Sequence, residues 1–131
     1  MTDKVNKKIM EAVKMMNAKL KNMFKLSSKI TVYIPSTCDI DKVADTTEYI
    51  NKCAVLLSES FGGATSCEAL GYWTSPTMGL VKEKSTMIFA YCSDKDLQDN
   101  IEKIIDFCEA MKTELSQDAI ALEINGEMYF I

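Results

Sequence analysis

The stretch FGGATSCEALGYWTSPTMGLVKEKSTMIFAYC, Phe61 to Cys92, decides the fold, because it predicts two long strands where the flanking sequence predicts helices. The segments ATSCEALGYW and LVKEKSTMIFAYC have the composition and length of strands. Between them TSPTMG predicts a turn, in which Pro76 sets φ and Gly79 permits a positive φ. We therefore predict a β-hairpin with a loop of about six residues.

A helix is predicted on each side of this hairpin. The first repeats apolar residues at alternating spacings of four and three and ends at Gly62 or Gly63. Asp45 and Glu48 make a capping-box pattern that starts this helix near residue 46. The second begins at Ser93, an N-cap residue. Its apolar stripe consists of Leu97, Ile101, Ile104, Cys108, Met111 and Leu115.

Shorter strands are predicted outside the two helices. KITVYIP at 29–35 and AIALEI at 119–124 alternate apolar and polar residues. Asn125–Gly126 is a two-residue hairpin signal, and EMYFI follows it as a last strand. The predicted fold class is α+β, a ferredoxin-like β-α-β-β-α-β sandwich with an added N-terminal helix and a short C-terminal strand. Two helices would cover one face of an antiparallel sheet.

Residues 1–28 are predicted to form a basic amphipathic helix, and residues 29–131 a single α+β domain. The apolar stripe of this helix is Ile9, Val13, Met16, Leu20 and Met23, and Ser27 and Ser28 end it. The stripe is compatible with packing on the chain's own domain or a second copy, with a short coiled coil, or with binding to nucleic acid or an anionic membrane.

Charge disfavours nucleic acid as a partner. Residues 1–29 carry eight Lys and two acids, whereas the remainder carries seven Lys and 17 acids, which would repel phosphates. No apolar run approaches the roughly 18 residues that span a membrane. No signal-peptide pattern is present, so we expect a cytoplasmic protein without membrane contact.

Several classes of chemistry are excluded by composition. The chain has 131 residues and no histidine, and all 15 of its basic residues are lysine. Histidine-based triads, histidine metal ligands and arginine clamps on phosphate are therefore absent. The stretch from Phe61 lacks both glycine-rich nucleotide motifs. We predict no cofactor and no metal site. Five cysteines are predicted to be free thiols: Cys38, Cys53, Cys67, Cys92 and Cys108.

If Trp73 pairs with Leu80 across the hairpin, alternate residues divide between a helix-covered face and an open face. Small residues such as Ala90 and Cys92 suit the helix-covered face. The open face would carry an aromatic and acidic set: Tyr33, Glu68, Tyr72, Glu83, Met87, Phe89, Tyr91 and Glu123. We expect a second copy, the N-terminal helix or a partner to cover this apolar patch. A slip of one residue would reverse one strand, and the opposite choice of faces would make Met87, Phe89 and Tyr91 core residues.

Candidate site residues follow from this arrangement. Glu68 and Glu83 would lie diagonally on one face, as paired carboxylates do in acid–base or metal chemistry, although solvated or lysine-paired glutamates are more common. Trp73 and Tyr72 are predicted binding residues beside the turn. Gln117, Tyr33, Phe89 and Tyr91 complete the predicted binding set.

The chain also resembles a family of small uncharacterised proteins of bacteria, phages and mobile elements. The resemblance covers roughly residues 60–131 and rests on the pattern F-G-G-x-T, G-x-W, G-x-V-x-E and a later Q. The matching residues are Phe61, Gly62, Gly63, Thr65, Gly71, Trp73, Gly79, Glu83 and Gln117. The resemblance implies one compact domain and a role for the hairpin, and it implies no mechanism.

Three functional hypotheses remain open from the sequence. The first is a non-enzymatic interaction protein of phage or mobile-element origin, such as an anti-defence inhibitor, that binds a host protein or small ligand as a homodimer. The second is a small hydrolase or metal-assisted enzyme that uses Glu83 and Glu68. The third is a nucleic-acid binder that acts through the N-terminal helix.

Overall fold

The protein is described by a computed structural model over residues 2–38 and 42–131. Its helices are α1 (Thr2–Leu20), α2 (Thr47–Phe61) and α3 (Asp94–Glu114). Its strands are β1 (Ser28–Pro35), β2 (Thr37–Cys38), β3 (Lys42–Val43), β4 (Thr65–Ser75), β5 (Gly79–Cys92), β6 (Ala121–Ile124) and β7 (Glu127–Phe130). The predicted ferredoxin-like α+β fold with an added N-terminal helix and C-terminal strand is confirmed. The small β2–β3 pair was not predicted.

Five strands form one antiparallel sheet in the order β4-β5-β1-β6-β7. The central strand β1 pairs with β5 on one side and with β6 on the other. Helices α2 and α3 pack against each other and against β1. They cover one face of the sheet, and we call the other face the open face. No helix in the described residues is long and apolar enough to cross a membrane.

The core lies between the sheet and the two helices. Most residues that the alternation predicted to be buried are buried here: Ile30, Val32, Ile34, Ile88, Ala90, Cys92, Ile120 and Leu122. Ile124, which was also predicted to be buried, is only half-buried. The α3 stripe supplies four more, namely Ile104, Cys108, Met111 and Leu115. Burial raises the pKa of both Cys53 and Cys108 to about 12, so these thiols act as small apolar side chains.

The ends of α2 and α3 follow from local sequence. Gly62 has φ of 87° and donates its N–H to the Ser58 carbonyl at 2.8 Å, which ends α2 as predicted. Ser93 Oγ accepts a hydrogen bond from the Asp96 N–H at 3.1 Å, which starts α3 as predicted. The predicted capping box of α2 is wrong, because Asp45 Oδ1 accepts from the Thr47 N–H.

The final hairpin forms through the predicted two-residue turn. Asn125 and Gly126 have φ of 52° and 84°, the left-handed pair that a type I′ turn requires. Asn125 Oδ1 also accepts from the Lys29 N–H at 2.8 Å, and this bond ties the turn to β1.

The predicted register of the β4–β5 hairpin is wrong by one residue. Trp73 pairs with Val81, since the loop has only three residues, Pro76 to Met78. Ser75 closes this loop: its buried Oγ accepts from the N–H groups of Thr77 and Met78, both at 3.2 Å. The slip turns every residue of β4 to the opposite face from the one predicted.

The distal part of this hairpin projects beyond the sheet. Pairing between β1 and β5 ends at Pro35 and Ser85, so residues 79–84 of β5 pair only with β4. Apolar side chains of this hairpin arm are exposed on both of its faces: Leu70, Tyr72, Trp73, Met78 and Leu80. A two-stranded ribbon is only marginally stable alone, so we expect this arm to pack against a partner.

Helix α1 does not pack on the domain. Its side chains from residue 3 to residue 20 are all exposed, and the helix ends at Leu20 instead of at Ser27 or Ser28. Of the interpretations left open above, packing on the chain's own domain is therefore wrong.

Candidate functional site

The open face places a glutamate and an indole in direct contact. Glu83 lies opposite Gly71 in the β4–β5 ladder, and Trp73 lies two residues further along β4 on the same face. The Trp73 Nε1–H donates a hydrogen bond to Glu83 Oε1 at 3.0 Å. A hydrogen bond to a charged acceptor is among the stronger ones that side chains make, so it fixes both side chains.

Three predicted binding residues from distant parts of the chain line one cavity of about 190 Å³ on this face. They are Tyr33 of β1, Glu83 of β5 and Gln117, which follows α3. Pro35, Thr37, Gly71 and Ala121 contribute to the same wall. The fold thus converts separations of up to 84 residues in the sequence into one concave site.

Gln117 is held in place by the way that α3 ends. Ser116 has a left-handed φ of 51°, and the Gln117 N–H donates to the Lys112 carbonyl at 2.9 Å. The side-chain Nε2 donates to the carbonyls of Thr37 and Leu115 at 3.0 and 3.2 Å. Both amide protons are thereby engaged, and the side-chain oxygen accepts no hydrogen bond from the described residues.

Burial raises the pKa of Tyr33, and the negative charge of Glu123 raises it further. Tyr33 is therefore a neutral hydroxyl at physiological pH and can both donate and accept a hydrogen bond. Glu83 forms no ion pair with a lysine among the described residues. The cavity consequently combines a carboxylate that is outside any described ion pair with a neutral phenol and an amide oxygen, and Lys84 also lines it.

Phe89 and Tyr91 lie on the same open face, closer to the opposite end of β1. Their rings meet edge to face, with centroids 6.2 Å apart. The Lys29 ammonium lies over both rings, 4.6 Å from the centroid of Phe89 and 5.4 Å from that of Tyr91. This aromatic patch therefore holds the chain's own Lys29 ammonium through cation–π contacts.

Glu68 and Tyr72 are not part of this site. The corrected register puts them on the helix-covered side of β4, so the predicted Glu68–Glu83 pair does not form. Glu68 instead lines a second cavity of about 440 Å³ near the start of α2, together with Asp45, Thr46 and Lys84. This cavity was not predicted from the sequence, in which the run Asp45-Thr46-Thr47 was the available signal.

The described residues bring no metal-ligand cluster together. Within residues 2–38 and 42–131, no group of three or more Cys, Asp or Glu side chains is placed to hold a metal ion.

Solved structures of phage enzymes share this ferredoxin-like α+β fold. A phage SAM lyase in complex with S-methyl-5'-thioadenosine superimposes with a TM-score of 0.57 at 18% identity, covering 83% of this chain and 94% of that one. A phage SAM lyase in the apo state gives a TM-score of 0.56 at 15% identity, with the same coverage. No protein-family model and no curated protein sequence matches the chain. At these identities the likeness establishes a common fold.

Proposed function

We propose that this protein is a phage-type enzyme that binds S-adenosylmethionine on its open face and cleaves it to S-methyl-5'-thioadenosine. The observation that carries the proposal is the cavity shared by Tyr33, Glu83 and Gln117, in a fold common to phage SAM lyases. The proposal replaces the non-enzymatic hypothesis as the leading one.

The groups of the open face complement this substrate. S-adenosylmethionine carries a sulfonium and an ammonium, and the Glu83 carboxylate attracts both. Aromatic faces bind onium groups and stack on purines, which suits Trp73 and Tyr33. The oxygen of Gln117 is available to accept a hydrogen bond from the substrate's ammonium or ribose hydroxyl.

The reaction requires little of the protein beyond positioning. The bond between the sulfonium and the γ-carbon breaks, and its electron pair stays on sulfur, which becomes a neutral thioether. The substrate's own carboxylate forms the new bond to the γ-carbon, so that a lactone leaves and no water is consumed. No metal and no histidine base is needed, in keeping with a chain that has no histidine. Holding the carboxylate close to the γ-carbon is the protein's contribution.

The cavity of about 190 Å³ is small for this substrate, since small-molecule sites occupy about 300–1,000 Å³. The open face is also rich in exposed apolar groups, including Trp73, Tyr91, Met128 and Phe130. We therefore include self-association in the proposal: a second copy covers the open face and completes the site, as the predicted homodimer would.

The test is a direct assay of the product. The purified full-length protein is incubated with S-adenosylmethionine, and S-methyl-5'-thioadenosine is quantified by mass spectrometry. We expect product with the wild-type protein. With Glu83→Gln we expect product formation at low substrate concentration to fall about 100-fold, because the cationic substrate binds more weakly without the carboxylate. Glu68→Gln is the matched control, because it makes the same change on the opposite face, and it should retain activity. The absence of both binding and turnover in the wild-type protein would overturn the proposal.

A non-enzymatic interaction protein is the second candidate, and the hairpin arm favours it. Tyr72 and Leu80 are 58% and 62% exposed on the helix-side face of the arm, away from the Glu83 cavity. An anti-defence inhibitor would bind a host protein through these side chains. Host-protein capture that is lost in Tyr72→Ala with Leu80→Ala, but kept in Glu83→Gln, would support this function over catalysis.

A further inference from the structure

Helix α1 presents a wide apolar face to solvent. Val5, Ile9, Met10, Val13, Met16 and Leu20 are each exposed by 45% or more, and Met23 and Phe24 continue the exposed series beyond the helix end. A set of apolar side chains this large is rarely left uncovered in a soluble protein. The distribution of charge around the helix indicates what covers it.

The helix follows a heptad pattern with a polar residue in its seam. Asn6, Val13 and Leu20 occupy a positions, and Ile9 and Met16 occupy d positions. The flanking e and g positions from residue 5 to residue 17 are uncharged: Val5, Met10, Ala12 and Asn17. Four lysines lie at the outer positions b, c and f, namely Lys4, Lys7, Lys8 and Lys14. Lys19, at a g position, is the exception.

We propose that α1 packs in parallel against α1 of other copies of this chain, forming a helical bundle at the N-terminus. In a parallel bundle the g residue of one helix faces the e residue of the next turn on its neighbour, which pairs Val5 with Met10 and Ala12 with Asn17. No lysine meets another lysine in this register. The basic helix therefore associates with itself without the repulsion that its net charge suggests.

Asn6 sets the orientation. In a parallel bundle the a positions form one layer, so the Asn6 amides of all copies hydrogen-bond to one another. In an antiparallel pair each Asn6 would face an apolar d residue such as Met16 and bury an unpaired amide, which is unfavourable.

Other occupants fit the charge pattern less well. If the apolar stripe of α1 packed on the acidic domain, the lysines would point away from that domain's negative charge. Such packing would therefore gain little from electrostatic attraction. A helix lying on an anionic membrane uses lysines beside its apolar face, whose ammonium groups reach the headgroups. In α1 those flanking positions are held by residues such as Met10 and Ala12.

Disulfide trapping in the full-length chain tests the proximity and orientation of the helices. In a Cys67→Ser background, which removes the exposed native thiol, Asn6→Cys places a thiol in the seam, and Lys8→Cys places one on the outer face. In glutathione buffer Asn6→Cys should form a linked dimer about tenfold faster than Lys8→Cys, because only the seam thiols are held together. Equal rates of disulfide formation in the two variants would overturn the proposal. Binding of the chain to anionic vesicles would not rescue it in that case.

A second pair of variants tests the energetic role of the seam. Ile9→Lys with Met16→Lys should lower the mass measured by light scattering, or raise the dissociation constant of the assembly about tenfold. Met15→Lys with Ala18→Lys is matched in added charge, but it changes outer positions, and it should leave the assembly unchanged. If both double variants keep the wild-type mass and dissociation constant, α1 does not join the copies.

Discussion

Trp73 and Glu83 contact each other across the β4–β5 ladder, through an indole N–H that donates to Glu83 Oε1 at 3.0 Å. The two residues lie ten positions apart in the chain. The three-residue loop of the hairpin brings them to the same face. This contact gives the carboxylate in the cavity a fixed orientation while its charge stays unneutralised by any described lysine.

Replacing Trp73 with Phe should weaken ligand binding without affecting folding. The ring remains, but the hydrogen bond that orients the Glu83 carboxylate is lost, and because both side chains are exposed, this bond contributes little to folding. We expect the KM for S-adenosylmethionine, whose cationic groups Glu83 attracts, to rise about tenfold in the product assay, with an unchanged melting temperature. Tyr72→Phe, on the opposite face of the arm, is the control. A rise in KM in Tyr72→Phe as large as that in Trp73→Phe would contradict the site assignment.

Truncating a core side chain of α3 should strongly destabilise the domain. Ile104 is fully buried between the helices and the sheet, and a change from Ile to Ala in such a position costs about 2–5 kcal/mol. Urea unfolding of Ile104→Ala should show this loss in the free energy of unfolding. Leu80→Ala, in the exposed arm, should change it by less than about 0.5 kcal/mol. Similar losses in the two variants would mean that the arm is buried in the assembly.

Acid should weaken the junction between β1 and α3. The Ser28 and Ser27 hydroxyls donate to Asp94 Oδ1 and hold the pKa of this carboxyl below its usual value of 3.8. A carboxyl whose pKa is lower in the folded state than in the unfolded state stabilises the fold at pH values above its unfolded-state pKa. This stabilisation is lost as the pH falls through the folded-state pKa. Asp94→Asn should therefore lower the urea midpoint at neutral pH and reduce its fall in acid. The comparison variant is Asp106→Asn, an exposed carboxylate further along α3. If Asp94→Asn kept the wild-type acid profile, these bonds would not stabilise the fold.

Thiol reactivity should separate the cysteines by burial. Cys67 is exposed on β4, whereas Cys53 and Cys108 are buried with pKa values raised to about 12, and the thiolate is the reactive form. Brief alkylation of the native protein, followed by peptide mass spectrometry, should label Cys67 and leave the other two unmodified. Denaturant should make all three react. Rapid labelling of Cys108 in the native state would reveal opening of the core.

The order and type of the main elements could be predicted because their signals are local. Alternation identified the core residues Ile30, Val32 and Ile34, and Gly62 marked the end of α2 by its need for a left-handed φ. Three of the residues that line the cavity, Tyr33, Glu83 and Gln117, were also predicted to bind. Their meeting at one cavity was not predicted, because the route of the chain after α3 depends on packing.

By itself, the sequence determined the ferredoxin-like arrangement, since hydrophobic periodicity, caps and turn residues act over a few positions. Only the tertiary structure decided which side chains share a face. The buried Ser75 hydroxyl closes the hairpin one residue earlier than the turn signals indicated, and the period of two in a strand makes that one residue reverse the whole of β4. As a result Trp73 lies beside Glu83, and Glu68 lies on the other side of the sheet.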